Sequence, residues 1–124
     1  MGSGTNSEIL LRILGEPASK ANSRRLVMRG RKPMMIKSQK AMEYGTYFLS
    51  QLPIRDELLE GDLAIHITIW YASRRPDLDE SLILDLLQGR VYVNDRQIKE
   101  KHIYHRLDKE NPRSEIRIHP IQEA

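Results

Sequence analysis

The sequence contains no cysteine. Disulfides, thiolate metal sites and cysteine nucleophiles are therefore excluded, which fits a reduced intracellular protein. No apolar run approaches the roughly 18 residues that a membrane span requires, and no signal-peptide core follows the start, so the expected location is the cytoplasm. Internal repeats, linkers and low-complexity tracts are also missing. One domain over residues 1–124 is expected, with residues 1–7 outside its ordered part, and the vector-like Met1-Gly2-Ser3-Gly4 carries no fold argument. A last absence is local. From Lys20 to Lys40 there is no acid, while Lys20, Arg24, Arg25, Arg29, Arg31, Lys32, Lys37 and Lys40 supply eight cations. The net charge of the whole chain is only +3, so it is this segment that marks an electrostatic footprint for nucleic acid or another anionic surface.

What is present suits an ordinary globular domain with a modest core: 124 residues, 40% apolar and 30% charged. Ile9 to Leu14 reads as a strand ended by Gly15-Glu16-Pro17, and Pro17 to Arg25 as a polar loop. Leu26-Val27-Met28 and Met34-Met35-Ile36 flank Arg29-Gly30-Arg31-Lys32-Pro33, a β-hairpin or ordered basic loop. The three methionines, Met28, Met34 and Met35, are expected to serve packing. Ser38 is a natural N-cap for a helix to about Leu52, with Ala41, Met42, Phe48, Leu49 and Leu52 as its apolar stripe and Pro53 as its stop. Gly45 inside that stripe is unusual.

Leu63, Ile65, Ile67, Ile69 and Tyr71 alternate strictly with Ala64, His66, Thr68 and Trp70, the strongest strand signal in the chain. Asp79 is expected to cap a short helix whose face is Leu82, Ile83, Leu86 and Leu87, closed by Gln88-Gly89. Val91 to Val93 predicts a brief strand, Ile98 to Leu107 a longer one, Asp108 to Arg113 a turn, and Glu115 to His119 a closing strand. Strands mixed with two helices predict an α+β fold, a single mixed sheet with both helices packed on it.

The long strand runs into Arg74-Arg75-Pro76-Asp77-Leu78-Asp79. Carboxylates at i and i+2 of an extended segment project from one face. After a short amphipathic stretch, Asn94-Asp95-Arg96-Gln97-Ile98 adds a third acid that a return of the chain would bring to the same neighbourhood. Clustered carboxylates repel one another unless a cation joins them, and adjacent arginines suit a polyanion. Asp77, Asp79 and Asp95 are therefore candidate magnesium ligands. Mg²⁺ prefers oxygen donors and can activate water against a phosphodiester. Lys20, Arg24, Arg25, Arg29, Arg31, Lys32, Arg74 and Arg75 are the candidate DNA contacts. Individually, Asp77-x-Asp79 also reads as a turn plus a cap, and Asn94-Asp95 as a turn. His66 is expected on a strand face rather than at a metal, and the i, i+3 spacing of His102 and His105 suits a helix better than the strand inferred there. Trp70, on the polar side of the long strand, is an interface or core aromatic or a base-stacking one.

These motifs resemble the RusA family of Holliday junction resolvases. The resemblance runs over most of the chain: Gly15-Glu16-Pro17-Ala18-Ser19-Lys20-Ala21-Asn22-Ser23-Arg24, Ser38-Gln39-Lys40-Ala41, Arg75-Pro76-Asp77-Leu78-Asp79, Leu84-Asp85-Leu86-Leu87-Gln88-Gly89, and Val91-Tyr92-Val93-Asn94-Asp95-Arg96-Gln97-Ile98. It implies a homodimeric endodeoxyribonuclease that nicks two opposed strands of a four-way junction with Mg²⁺ or Mn²⁺, acting in DNA recombination and repair. Asp77, Asp79 and Asp95 would take its catalytic metal-binding positions. The chain departs from the family pattern at Glu80, where the family has Asn, and at Asn94, where it has Asp. Ser81 or Ile83 falls where the family has a helical Lys. Arg74, Arg75 or Lys99 are the candidates to replace that cation. The alternative reading is a catalytically weak or inactive relative that binds branched DNA, and a third is an RNA-binding module.

Overall fold

The computed structural model describes residues 8–19 and 24–121. Strand β1 (Ile9–Leu14) is followed by a hairpin of β2 (Arg24–Arg29) and β3 (Lys32–Lys37). Helix α1 (Gln39–Gln51), strand β4 (Leu63–Tyr71), helix α2 (Ser81–Leu87), strand β5 (Ile98–Leu107) and strand β6 (Arg113–Pro120) complete the order, with a 3₁₀ turn at Asp95–Gln97 just before β5. The main sheet runs β1-β6-β4-β5, and β2 and β3 pair only with each other in a separate two-stranded ribbon. This is the expected α+β architecture, a mixed sheet with two helices.

Strict alternation makes β4 the spine. Leu63, Ile65, Ile67, Ile69 and Tyr71 are all buried at 1% exposure or less, because period-2 side chains on a pleated strand fall on one face. Ile9, Leu11 and Ile13 of β1 and Ile116 and Ile118 of β6 join them. Helices α1 and α2 cover this face with Ala41, Tyr44 and Phe48 and with Leu82, Ile83, Leu86 and Leu87. The β4–β6 pair is antiparallel, but the β4–β5 pair is parallel, with Leu63 opposite Ile98 and Tyr71 opposite Leu107. A parallel pair cannot be closed by a tight turn, so residues 72–97 must carry the chain back across the sheet.

Ser38 caps α1 as its sequence suggests, its Oγ accepting from the Ala41 amide at 3.1 Å. The buried stripe of α1 is Ala41, Tyr44, Gly45 and Phe48. Met42, expected in that stripe, is 59% exposed, because its position on the 3.6-residue period faces away from the sheet. Gly45 has a packing reason. A Cβ built there would lie 3.4 Å from Leu86 Cδ2, so the two helices meet closely enough here for a methyl but not for a larger side chain. The expected strand over Val91 to Val93 does not form. Tyr92 makes only isolated bridges to Leu59 and Gln88, since the buried Tyr92 side chain is anchored by its hydroxyl donating to the Leu84 carbonyl at 2.8 Å. The methionines expected to pack do not, for the ribbon carrying them lies apart from the main sheet: Met28 is 63%, Met34 38% and Met35 58% exposed.

The sheet face opposite the helices is polar. His66 stacks on His102 with ring centroids 4.6 Å apart, and its Nε2 lies 3.1 Å from His119 Nε2. The Nδ1 of His119 lies 3.1 Å from the Pro120 carbonyl, which can only accept. That assigns the His119 proton to Nδ1 and leaves its Nε2 to accept from His66. His102 and His105, placed on β5, point to opposite faces, since an i, i+3 spacing on a strand alternates sides. Trp70 is covered by the Arg113 guanidinium, 4.1 Å from the ring centroid. Among the described residues no helix is long and apolar enough to cross a membrane.

Gly45→Ala should raise stability by about 0.5–1 kcal/mol in urea denaturation, through helix propensity with only an ordinary contact to Leu86. Gly45→Leu should lower it by about 1–3 kcal/mol by forcing the helices apart. Burial, with the charges of His102, Arg117 and His119, lowers the pKa of His66, while Glu100 opposes them. The folded state therefore takes up that proton less readily than the unfolded one. Its contribution is neutral above about pH 6.5 and becomes destabilising as pH falls through and below that value. Denaturation midpoints measured from pH 8 to pH 5 should fall less steeply in His66→Gln than in the wild type.

Candidate active site and nucleic-acid interface

The acidic loop begins where β4 ends. Tyr71, the last residue of β4, is buried, and its hydroxyl holds the loop at two points. It donates to the Asp77 carbonyl and accepts from the Asp79 amide, both at 3.3 Å. Burial, reinforced by the Asp79, Glu16 and Glu80 carboxylates, holds the Tyr71 phenol above its ordinary pKa, so it stays protonated and able to donate. The His105 ring stacks on Tyr71 with centroids 4.4 Å apart, and its Nε2 donates to the Pro76 carbonyl at 3.0 Å. Glu16 ties in the chain after β1, its Oε1 accepting from the Ala72 amide at 2.7 Å.

Asp79 does not occupy the cap position itself. Glu80 does, without a side-chain cap bond. Asp79 Oδ1 instead accepts from the Ser81 amide at 3.0 Å and from Ser81 Oγ at 2.5 Å, an Asx-type turn that starts α2 one residue later. Glu80 is paired with Lys101 of β5 at 2.9 Å. Of the two α2 positions, one of which falls where the resemblance puts a single lysine, Ser81 is bonded to Asp79 and Ile83 is fully buried. Lys101 pairs with Glu80 at the end of this loop, and Arg74, on the loop itself, lines a cleft with Asp77.

Asp77 opens on a shallow cleft of about 560 Å³ that it lines with Arg74, Leu78, His105 and Arg106. A cleft lined by Asp77 and Arg74 suits an anionic ligand that brings, or shares, a cation. Asp95 sits on the 3₁₀ turn. Its amide donates to Gln88 Oε1 at 2.8 Å, and Asn94 and Gln97 form a capping box around it. That turn feeds Ile98, opposite Leu63, and so lies at the end of the sheet where β4 starts, whereas the acidic pair follows the end where β4 stops. Among the described residues no three His, Asp or Glu side chains converge closely enough to hold a metal ion. The carboxylates of Asp77 and Asp79 have the right donor chemistry for Mg²⁺, which often takes one or two carboxylates and keeps several waters.

Of the candidate DNA contacts, Arg24, Arg25, Arg29, Arg31 and Lys32 all lie exposed on the β2–β3 hairpin and its turn, and Arg74 and Arg75 are exposed on the acidic loop. Lys20 lies outside the described residues, as do residues 1–7. Glu16, Tyr71, Lys101, His105 and Arg106 were not picked out as site residues from the sequence. Glu16 had a signal in the Gly-Glu-Pro break after β1. The β5 residues had none, since only the parallel register sets them beside the loop.

Comparison with known proteins adds one match. The family model described as Endodeoxyribonuclease RusA matches residues 15–119. No curated protein matches the chain.

Tyr71→Phe removes the hydroxyl that joins Asp77 to Asp79 and should cost about 1 kcal/mol. Urea denaturation should show the loss, and hydrogen exchange at the Asp79 amide should quicken by more than at amides of the β4–β6 ladder.

Proposed function

Because the chain belongs to the RusA endodeoxyribonuclease family, we propose that it is a Mg²⁺-dependent, structure-selective endonuclease that resolves four-way DNA junctions by paired nicks in recombination and repair. The observation that carries this reading is the Tyr71-anchored loop, which presents Asp77 in a cleft lined by Arg74 with Asp79 fixed by Ser81. A homodimer is part of the proposal, because a two-fold junction cut at two opposed points is matched by two copies of one site. Mn²⁺ would serve in place of Mg²⁺.

Each part of the chain has a physical task in this scheme. The exposed cations of the hairpin bind backbone phosphates and supply affinity without sequence preference. Arg74 holds the phosphate at the cleft and offsets its charge, which otherwise repels a nucleophile. Tyr71 and His105 keep the loop in one conformation through its own backbone carbonyls and amide, so the carboxylates do not need to be ordered at the moment of reaction. Lys101, next to Glu80, is the side chain positioned to offset charge where α2 offers no lysine. A divalent cation on Asp77 and Asp79 would polarise the phosphoryl group and activate water.

A second reading, a branched-DNA-binding protein that cuts slowly or not at all, is favoured by one observation: among the described residues no group of three His, Asp or Glu side chains gathers to hold a metal ion. One experiment separates the two. Labelled four-way junction, linear duplex and single strands are incubated with protein and Mg²⁺, Mn²⁺ or EDTA, beside Asp79→Asn. The expected result is symmetric nicking of the junction, abolished by EDTA and reduced on the order of 10²-fold or more in Asp79→Asn with binding retained. Junction binding without nicking at any metal concentration would establish the second reading. Preference for RNA would overturn both.

A further inference from the structure

The β2–β3 hairpin carries an apolar face that the fold leaves uncovered. Directly opposed residues of an antiparallel pair project to the same side. Arg24 opposes Lys37, Leu26 opposes Met35 and Met28 opposes Pro33, so these six residues share one face. At its centre Leu26 is 62%, Met28 63% and Met35 58% exposed, and Pro33 is exposed beside them. Contiguous apolar surface of this kind on a soluble domain marks a contact with something else.

The charges around the patch say what that contact is. Arg24 and Lys37 stand at the base of this face, and Arg29, Arg31 and Lys32 crowd the tip, with no acid anywhere in residues 24–37. A polyanion with apolar surface of its own complements such a face. Intact duplex DNA hides its base faces by stacking, and a branch point interrupts that stacking. Methionine, leucine and proline are side chains that proteins insert against opened base steps, and the flexible methionine thioether adapts to an aromatic plane. Six-residue strands extend about 20 Å, so the patch can reach into a junction while the cations at its ends hold the phosphates. Gly30, at φ +65°, lets the ribbon turn in two residues and keeps the tip narrow.

We propose that the face formed by Leu26, Met28, Pro33 and Met35 packs against unstacked bases at the branch point of DNA, with phosphate contacts from Arg24 and Lys37 at the base of the same face and from the cations of the tip, Arg29, Arg31 and Lys32, beyond it. The proposal rests on the reading above that the chain binds branched DNA, and it adds what recognises the branch. The hairpin cations cannot do this alone, since phosphates are present along any duplex.

The test uses the full chain and a four-way junction carrying 2-aminopurine beside the branch, with a linear duplex of equal length for reference. Wild-type protein should raise the 2-aminopurine fluorescence. Leu26→Ser/Met28→Ser/Met35→Ser should lose that rise and about tenfold of the preference for junction over duplex. Arg29→Gln/Arg31→Gln should weaken junction and duplex together and lower the salt slope by about 2. Circular dichroism and melting of each variant establish that the fold is kept, as expected for exposed positions. A triple variant with wild-type preference and fluorescence overturns the proposal while leaving the nuclease reading intact. A wild-type protein that binds neither DNA removes both. Equal loss of junction and duplex binding in the triple variant overturns the base contact. So does a triple variant that changes oligomeric state on sedimentation or loses binding to phosphatidylserine vesicles, and the face then belongs to a second copy or a lipid surface.

Discussion

The parallel pairing of β4 with β5 is the constraint on which the rest of the molecule turns. An antiparallel return would bring the chain back within a few residues of Tyr71. A parallel neighbour must be entered at the end where β4 begins, so residues 72–97 have to cross the length of the sheet, about 25 Å by strand rise. The candidate carboxylates and the side chains that hold them lie on that crossing or beside it. The acidic loop comes first, α2 then covers the core, and the 3₁₀ turn with Asp95 comes last, just before β5.

The crossing is not a free loop, because side chains of the strands hold it at intervals. Tyr71 and His105 grip Pro76, Asp77 and Asp79, Lys101 takes Glu80, and Gln97 donates to the Leu59 and Gly61 carbonyls at the far end. Buried hydroxyls and amides of this sort are costly to leave unpaired, so the loop is pinned to one path. The cost of ordering the acidic loop is therefore met by the fold itself rather than by a ligand. The hairpin is the opposite case. It shares no sheet with the core and presents charge and apolar surface to the exterior.

Much of this was legible in the residues. The alternation from Leu63 to Tyr71, the cap at Ser38, the stop at Pro53 and the closing strand all act locally, and local rules found them. Val91 to Val93 misled because β-branched residues flanking a tyrosine look like a strand, yet Tyr92 is buried by a bond to the helix before it. Met42 and the hairpin methionines misled because hydrophobic character does not tell which face of an element meets the core. Lys101 and His105 were invisible as site residues, since nothing in Ile98 to Leu107 reveals which strand lies beside it.

By itself, the sequence determined the kinds of side chain available and the family to which they belong. It fixed a cysteine-free domain, an acid-free basic segment, a pair of carboxylates two residues apart and a third in the Asn-Asp-Arg-Gln-Ile motif. The tertiary structure decided which of these meet. Register and strand direction placed Lys101 and His105 beside the Asp77–Asp79 loop, left Asp95 at the other end of β4, and turned the methionines outward. Periodicity reports which residues share a face of one element. Strand order and direction follow from how several elements bury their faces together, and no local pattern contains that information.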